Sequence, residues 1–241
     1  MRYVPALLVV ALLCASSCSS AAPGTDKAVE AMQKGDFKTA LAELRPRVAK
    51  GDPNAQFLLG MMYDTGHGVT QDQAAAASLY EKAAVQRHTL ASVYLGALYY
   101  SGEGVKQDYA KAARWFRAPA DSGNDLAQFY LGAMYADGSG VKKDEDEAIR
   151  WLGKSAAQRN PRAMGMLATT LFSRSRDDRD RVEAYAWSHL AAEMDPIQAS
   201  TSARVVIEKY CTDDQKKRGK ALMSEWKKKW AAEEKAHPAN R

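Results

Sequence analysis

The stretch AQFLLG at residues 55–60 decides the fold, because it returns along the chain at a constant interval. It recurs as ASVYLG at 91–96, AQFYLG at 127–132 and AMGMLA at 163–168, so each copy begins 36 residues after the previous one. A fixed period of this length is typical of stacked supersecondary units. The chain is therefore predicted to be a repeat protein.

Within each copy the apolar residues have helical spacing. In the first copy Ala55, Leu59 and Tyr63 lie on one face, and Gly60 stands beside them, where two backbones can approach closely. A second apolar stripe begins at Ala76. Each copy therefore contains two antiparallel helices, and only stacking buries both of their apolar faces.

The recurring residues between the stripes have the properties of helix ends. Glycine after the last apolar position ends a helix in a left-handed conformation, and aspartate accepts from free backbone N–H groups at the next helix start. Asp36 stands in the same register. The structural columns are Gly60, Gly96 and Gly132; Gly66, Gly102 and Gly138; Gly68, Gly104 and Gly140; Asp72, Asp108, Asp144 and Asp180; and Trp115, Trp151 and Trp187.

This order of motifs resembles the Sel-one-like repeat family, a relative of the tetratricopeptide repeat. The resemblance implies an all-α, right-handed α-solenoid of antiparallel helix pairs over residues 26–195. A half repeat at 26–51 precedes repeats at about 53–88, 89–124 and 125–160 and a degenerate copy at 161–195. In that copy Arg174 and Arg176 replace the loop glycines, so its loop is expected to differ. Pro119 is expected to kink its helix or end it early.

After Pro196 the chain leaves the repeat. A helix from about 197 to 210, a capping box at Thr212–Gln215 and a helix running toward Glu234 are predicted to form a cap over 196–236, followed by a tail at 237–241. Sel-one-like proteins often finish in such a Thr-x-x-Gln helix ending in tryptophan, which Trp226 resembles.

Residues 1–22 have the pattern of a secretion signal. One basic residue precedes a short apolar run and a small-residue exit. Cys18 ends a segment that resembles a bacterial lipobox, so the favoured expectation is cleavage before Cys18, acylation there, and a membrane-anchored lipoprotein facing the periplasm. Cleavage after Ala21 is the alternative, with Cys18 merely a small residue. The chain is in either case expected to be exported.

Charge and cysteine content exclude two classes of protein. From Arg204 to Arg241 there are 11 Lys and Arg against 6 Asp and Glu, which accounts for the net charge of +5. The repeats are therefore close to neutral, and no nucleic-acid partner is expected. Cys14 lies in the apolar run, so no disulfide framework is available, and Cys211 is predicted to be a buried small hydrophobe.

Signatures of catalysis, cofactor binding and metal binding are missing from the sequence. The Gly153-Lys154-Ser155 segment lacks the preceding glycine and strand of a phosphate-binding loop. The four histidines, at 67, 88, 189 and 237, have no metal-ligand spacing, and His67 is expected in an exposed loop. We therefore predict no catalytic residues and no cofactor.

The favoured function is a scaffold or adaptor that holds a peptide or protein segment of the cell envelope in a groove formed by the first helices. The alternative for each candidate is packing between repeats. A cell-envelope hydrolase acting on peptidoglycan or a β-lactam is the rival function. The candidate partner-binding residues are Phe57, Met61, Val93, Tyr94, Tyr100, Phe129 and Tyr130.

The C-terminal helix is basic and amphipathic. Leu222, Met223, Trp226 and Trp230 recur at helical spacing among lysines. Docking of the rings on the last repeat is favoured, and membrane-surface association is the alternative.

Overall fold

First and second helices alternate as the 36-residue period predicts. The structure, a computed structural model, describes residues 25–174, 177–195 and 201–236. Within those ranges the chain is helical without strands, which confirms the predicted all-α repeat solenoid. The helices are α1 (Asp26–Gln33), α2 (Phe37–Ala49), α3 (Pro53–Thr65), α4 (Gln73–Ala84), α5 (Thr89–Ser101), α6 (Tyr109–Asp121), α7 (Asp125–Asp137), α8 (Glu145–Ala157), α9 (Pro161–Arg174), α10 (Asp178–Met194), α11 (Thr201–Tyr210) and α12 (Asp213–Ala236).

The chain forms two compact units, and their boundary lies inside α6 between Trp115 and Phe116. In the first unit each helix from α1 to α5 packs against the next, around a core that includes Leu44, Met62 and Tyr80. In the second unit α7 to α10 pack in the same sequential way, and α11 and α12 both pack on α10. Alternation of paired helices therefore places the apolar stripes in one core per unit.

Four of the predicted aspartate caps are confirmed. Asp36, Asp72, Asp108 and Asp144 each accept a hydrogen bond from a backbone N–H of the first helical turn, at 2.9–3.0 Å. Each bond satisfies a donor that the helix leaves unpaired.

The prediction that Asp180 caps its helix is wrong. α10 begins earlier, and Asp177 is its cap, accepting from the N–H of Asp180 at 2.9 Å. Asp180 is buried and instead accepts a hydrogen bond from Arg174. Arg174 lies 36 residues after Gly138 and replaces the loop glycine expected in this copy. The changed loop therefore moved the helix start and gave the carboxylate a different partner.

The two loop glycines have different roles. Gly66, Gly102 and Gly138 end their helices with φ of 75°, 80° and 83°, as predicted for left-handed helix ends. The second glycine makes a close approach that the sequence did not indicate. A Cβ on Gly104 would lie 2.4 Å from the backbone carbonyl of Gln73, and one on Gly68 would lie 2.4 Å from Cβ of Phe37. Gly68 and Gly104 therefore each touch the start of the previous repeat's second helix.

The helix glycines allow the close helix packing that was predicted. A Cβ on Gly60 would lie 2.7 Å from the Tyr80 ring, and one on Gly132 would lie 2.6 Å from Cγ of Leu152. The recurring glycine therefore brings the two helices of a repeat together.

Pro119 does not end its helix early, which was one of the two outcomes predicted for it. α6 runs through it to Asp121 and has 13 residues, the same length as α7 and α8. The proline lies near the helix end, where its missing N–H removes only one hydrogen bond, and its ring is buried. Pro46 also lies inside a helix, α2, but is exposed.

A glutamine closes the helix pair in two of the repeats. The Gln86 side-chain amide donates to the carbonyl of Gly51 and to Oε1 of Gln56, both at 3.0 Å. Gln158 repeats the arrangement in the second unit, with Gly123 at 2.9 Å and Gln128 at 2.8 Å. We name these the amide bridges. They tie the end of the second helix to the start of the first.

His88 makes the stability of the first unit dependent on pH. Its Nδ1 accepts from the N–H of Ala91 at 3.1 Å as the cap of α5, and burial lowers the pKa of the ring. The unfolded chain therefore takes up the proton first, and stability present above pH about 6.5 is lost as the pH falls below it. We expect a loss of about 1 kcal/mol, the usual contribution of a cap, in urea unfolding at about pH 7.5 and 5.5.

The matched variant is His88→Asn, because Asn124 and Asn160 cap α7 and α9 at the equivalent position. It should keep the stability seen at high pH and remove the loss at low pH. An unchanged loss in this variant would show that another group titrates.

Candidate functional site

The first helices leave a stripe of apolar side chains half-buried. In α5 the stripe consists of Leu90, Tyr94 and Ala97, which lie on one face by their spacing. In the second unit Leu126 and Tyr130 of α7 lie 36 residues after Leu90 and Tyr94 and so occupy the equivalent positions of the repeat. Met166 of α9 lies 36 residues after Tyr130. We name these six residues, three in each unit, the first-helix stripe.

Three of the predicted partner-binding residues lie in the core. Phe57, Met61 and Val93 are 4%, 2% and 1% exposed. Phe57 stacks on His88 at 4.7 Å and meets Tyr94 edge-on at 5.5 Å. The structure therefore supports the alternative interpretation of these three as packing residues.

The other four candidates are half-buried. Tyr94 packs against Phe57, and Tyr130 stacks on Phe116 with centroids 4.7 Å apart. Phe129 packs on the second-unit core. Tyr100 packs edge-on against Tyr109 at 5.2 Å, near the loop rather than on the stripe.

Sequence reasoning missed four members of the stripe: Leu90, Ala97, Leu126 and Met166. Leu90 and Leu126 lie four residues before Tyr94 and Tyr130, so they share a face with residues already singled out. That spacing was the signal that could have found them.

A buried carboxyl lies behind the stripe in the first unit. Asp64 is 8% exposed, and burial raises its pKa. The Tyr80 hydroxyl donates to its Oδ2 at 3.4 Å, and the Tyr80 ring contacts that of Tyr94 at 5.5 Å. The hydrogen-bonded Tyr80 ring therefore packs against the buried side of the Tyr94 ring.

The cap is docked as predicted. Thr212 and Gln215 form a reciprocal capping box, with bonds of 2.8 and 3.2 Å. Trp226 stacks on Trp187 at 4.1 Å, and Trp230 lies 6.5 Å from the same ring. The apolar side of α12 is therefore turned toward α10.

Replacing Trp226 with alanine is expected to loosen α12. Loss of a half-buried stacked ring should cost about 1–2 kcal/mol, and protease cleavage within 213–235 should become faster. Ser224→Ala, on the exposed side of the same helix, is the control and should leave cleavage unchanged. Equal cleavage of both variants would contradict the docking role of the ring.

Among the described residues no group of three His, Cys, Asp or Glu side chains is placed to hold a metal ion. His67 lies in the loop as predicted but is half-buried rather than exposed, and its ring centroid lies 5.1 Å from that of Phe37. Ser155 of the Gly-Lys-Ser segment donates to the carbonyl of Asp125 at 2.8 Å, inside a repeat. Cys211 is buried as predicted, and burial raises the pKa of its thiol.

No helix in the described ranges is both long and apolar enough to cross a membrane. Residues 1–22 with Cys18, as well as Arg176 and His237, lie outside those ranges.

Stacked antiparallel helix pairs with shared cores define a helical-repeat solenoid protein. The sequence pattern of the Sel1 repeat matches residues 53–88, 89–124, 125–160 and 161–196, and the chain belongs to the Sel1 repeat family.

Two solved structures are similar to this chain. One is c5321, a protective antigen of uropathogenic Escherichia coli with an SLR fold, at 32% identity and a TM-score of 0.73; the match covers 85% of this chain and 44% of that one. This chain thus spans less than half of c5321. A Sel1 repeat protein from Oxalobacter formigenes shares the fold, at 24% identity, a TM-score of 0.67 and 83% coverage of each chain. No curated protein matches the sequence.

The Sel1 repeat family has a characteristic general role. Sel1 repeat proteins generally act as protein-interaction scaffolds, and the family is typically non-catalytic. A protein partner is therefore the general expectation for this chain.

Proposed function

We propose that the protein is an exported scaffold of the cell envelope that binds a peptide or protein segment through the first-helix stripe. The observation that carries this proposal is the half-exposure of apolar side chains in the same columns of α5, α7 and α9. Partly exposed apolar and aromatic side chains on a rigid helix face are typical anchors for a partner.

The packing behind the stripe supports its use as a binding surface. Tyr94 rests on Phe57 and on the Tyr80–Asp64 pair, and Tyr130 rests flat on Phe116. Side chains held in this way lose little conformational freedom when a partner binds. A segment with two apolar side chains spaced to contact a leucine and a tyrosine one helical turn apart would fit the Leu90–Tyr94 pair or the Leu126–Tyr130 pair.

Export is supported by the secretion-signal pattern of residues 1–22 and by the lipobox-like segment ending at Cys18. Metabolic labelling with a fatty acid is expected to mark the membrane fraction of the wild type and to be abolished by Cys18→Ala. Unchanged labelling would contradict the anchor, and retention in the cytoplasm would contradict export.

Photo-crosslinking tests the stripe. A crosslinking residue at Leu90 or Leu126 is expected to capture one identifiable envelope protein, whereas the same residue at Ser78 or Arg114, exposed on second helices, should not. Binding of the captured protein should weaken at least about tenfold in Leu126→Lys, as expected for loss of an apolar anchor. Equal capture at the control positions would contradict the proposal.

A further inference from the structure

One side of α12, centred about 120° around the helix axis from the tryptophans, presents a row of lysines. At 100° per residue these lysines fall within about a third of the helix circumference. The row runs along about 29 Å of helix at 1.5 Å per residue. We name this set the lysine face; it consists of Lys216, Lys217, Lys220, Lys227, Lys228 and Lys235.

Docking fixes the direction in which this face points. Trp226 stacks on Trp187, the Gln215 amide donates to Asp178 at 2.6 Å, and Gly219 lies so close to Tyr185 that a Cβ would meet its ring at 2.5 Å. The helix therefore cannot rotate about its axis without breaking these contacts, and five of the six lysines are exposed.

Little of the positive charge on this face is neutralised. Lys227 pairs with Glu193, and Lys216 lies 3.7 Å from Asp213. At the edge of the face Glu234 pairs with Arg159, so it does not offset the lysines. Within the described part of the chain the other four lysines have no ion pair.

We propose that the lysine face is an electrostatic docking site for an anionic phospholipid surface. A straight row of ammonium groups on a rigid helix can meet a flat surface along its whole length, and each group near such a surface strengthens binding about fivefold. The tryptophans remain docked, so the helix lies on the headgroups without inserting rings. This differs from the sequence-based alternative, in which the apolar side of the helix would face the membrane.

The side chains of the face favour a lipid surface over other polyanions. Between the lysines lie Ser224 and Ala231, which offer no aromatic or large apolar anchor of the kind that dominates protein–protein binding. The face also contains no arginine fork or stacking ring, the groups that nucleic-acid sites combine with charge.

Co-sedimentation with vesicles tests the proposal on the Cys18→Ala variant of the full chain, so that the proposed acyl anchor does not contribute to binding. Binding is expected to vesicles of phosphatidylcholine with phosphatidylglycerol at low salt, to disappear at about 0.5 M salt, and to be absent with phosphatidylcholine alone. The triple variant Lys217→Glu, Lys220→Glu, Lys228→Glu should bind at least about a hundredfold more weakly. The control Lys82→Glu, Lys106→Glu, Lys142→Glu changes the net charge equally on exposed repeat lysines and should keep binding.

Three outcomes would overturn the proposal. One is equal loss of binding in both triple variants with unchanged circular-dichroism melting, because net charge alone would then explain it. Another is quenching of tryptophan fluorescence by brominated lipid, which would show ring insertion. The third is displacement of the protein from vesicles by polyglutamate or duplex DNA at matched charge, because a polymer would then be the preferred ligand.

Discussion

Replacing Gly104 with alanine is expected to lower the free energy of unfolding of the first unit by about 3 kcal/mol. Gly104 has φ of 70°, a left-handed conformation that costs an L-residue about 1–2 kcal/mol. The added Cβ would also lie 2.4 Å from the carbonyl carbon and oxygen of Gln73, which cannot move without shifting the start of α4. Overpacking of this kind adds about 1–3 kcal/mol. Urea unfolding measures the loss.

Gly51→Ala is the matched control for this variant. Gly51 has φ of 82° and no atom within 4 Å of the position of a Cβ, so only the conformational cost of about 1–2 kcal/mol applies. Arg87 occupies the same column with φ of 67°, which shows that the conformation tolerates a side chain. Equal losses in the two variants would contradict the close approach of the second loop glycine to the preceding repeat.

Replacing Arg174 with alanine is expected to destabilise the second unit by about 3 kcal/mol. Arg174 donates from Nε to Oδ2 of Asp180 at 3.0 Å and pairs through a second nitrogen with Oδ1, and the Asp180 side chain is only 6% exposed. The substitution takes two hydrogen bonds and a neighbouring positive charge away from a buried carboxylate, and breaking a buried ion pair commonly costs about 3–5 kcal/mol. Thermal or urea unfolding followed by tryptophan fluorescence measures the change.

Two further variants test this interpretation. Arg174 also pairs with Asp146 at 3.0 Å, but Asp146 is 63% exposed, so Asp146→Asn should cost less than about 1 kcal/mol. The double variant Arg174→Met, Asp180→Leu removes both charges and should recover much of the loss. A cost for Arg174→Ala no larger than that for Asp146→Asn would contradict a stabilising role for the buried pair.

Features that act on their own stretch of backbone could be predicted from the sequence. Asp72 caps the helix that follows it, Gly66 ends the helix before it, and Thr212 and Gln215 bond each other three residues apart. The prediction that Asp180 caps its helix was wrong because it assumed that the fourth copy keeps the loop conformation of the other copies. In that copy Arg174 replaces the first loop glycine. The contact between Gly104 and Gln73 joins neighbouring repeats, and no local signal reports it.

Prediction of which first-helix side chains stay partly exposed was right for four of the seven candidates. Phe57, Val93 and Tyr94 are apolar neighbours in first-helix columns, yet only Tyr94 is half-buried. A first helix inside a stack is covered on most sides, so periodicity identifies the helix without separating its core faces from its exposed one. Two columns taken together carry more information, because Leu90 with Tyr94 and Leu126 with Tyr130 repeat as pairs one turn apart.

The amide bridges have a consequence for the conditions under which the repeats hold together. Gln86 and Gln158 close their helix pairs with neutral donors and acceptors, so neither acidification nor a change in dissolved ions alters the charge of these contacts. A scaffold proposed to work outside the cytoplasm meets surroundings whose composition the cell does not regulate. Because the amide bridges contain no titratable group, the helix pairs that they join keep one geometry while those surroundings vary.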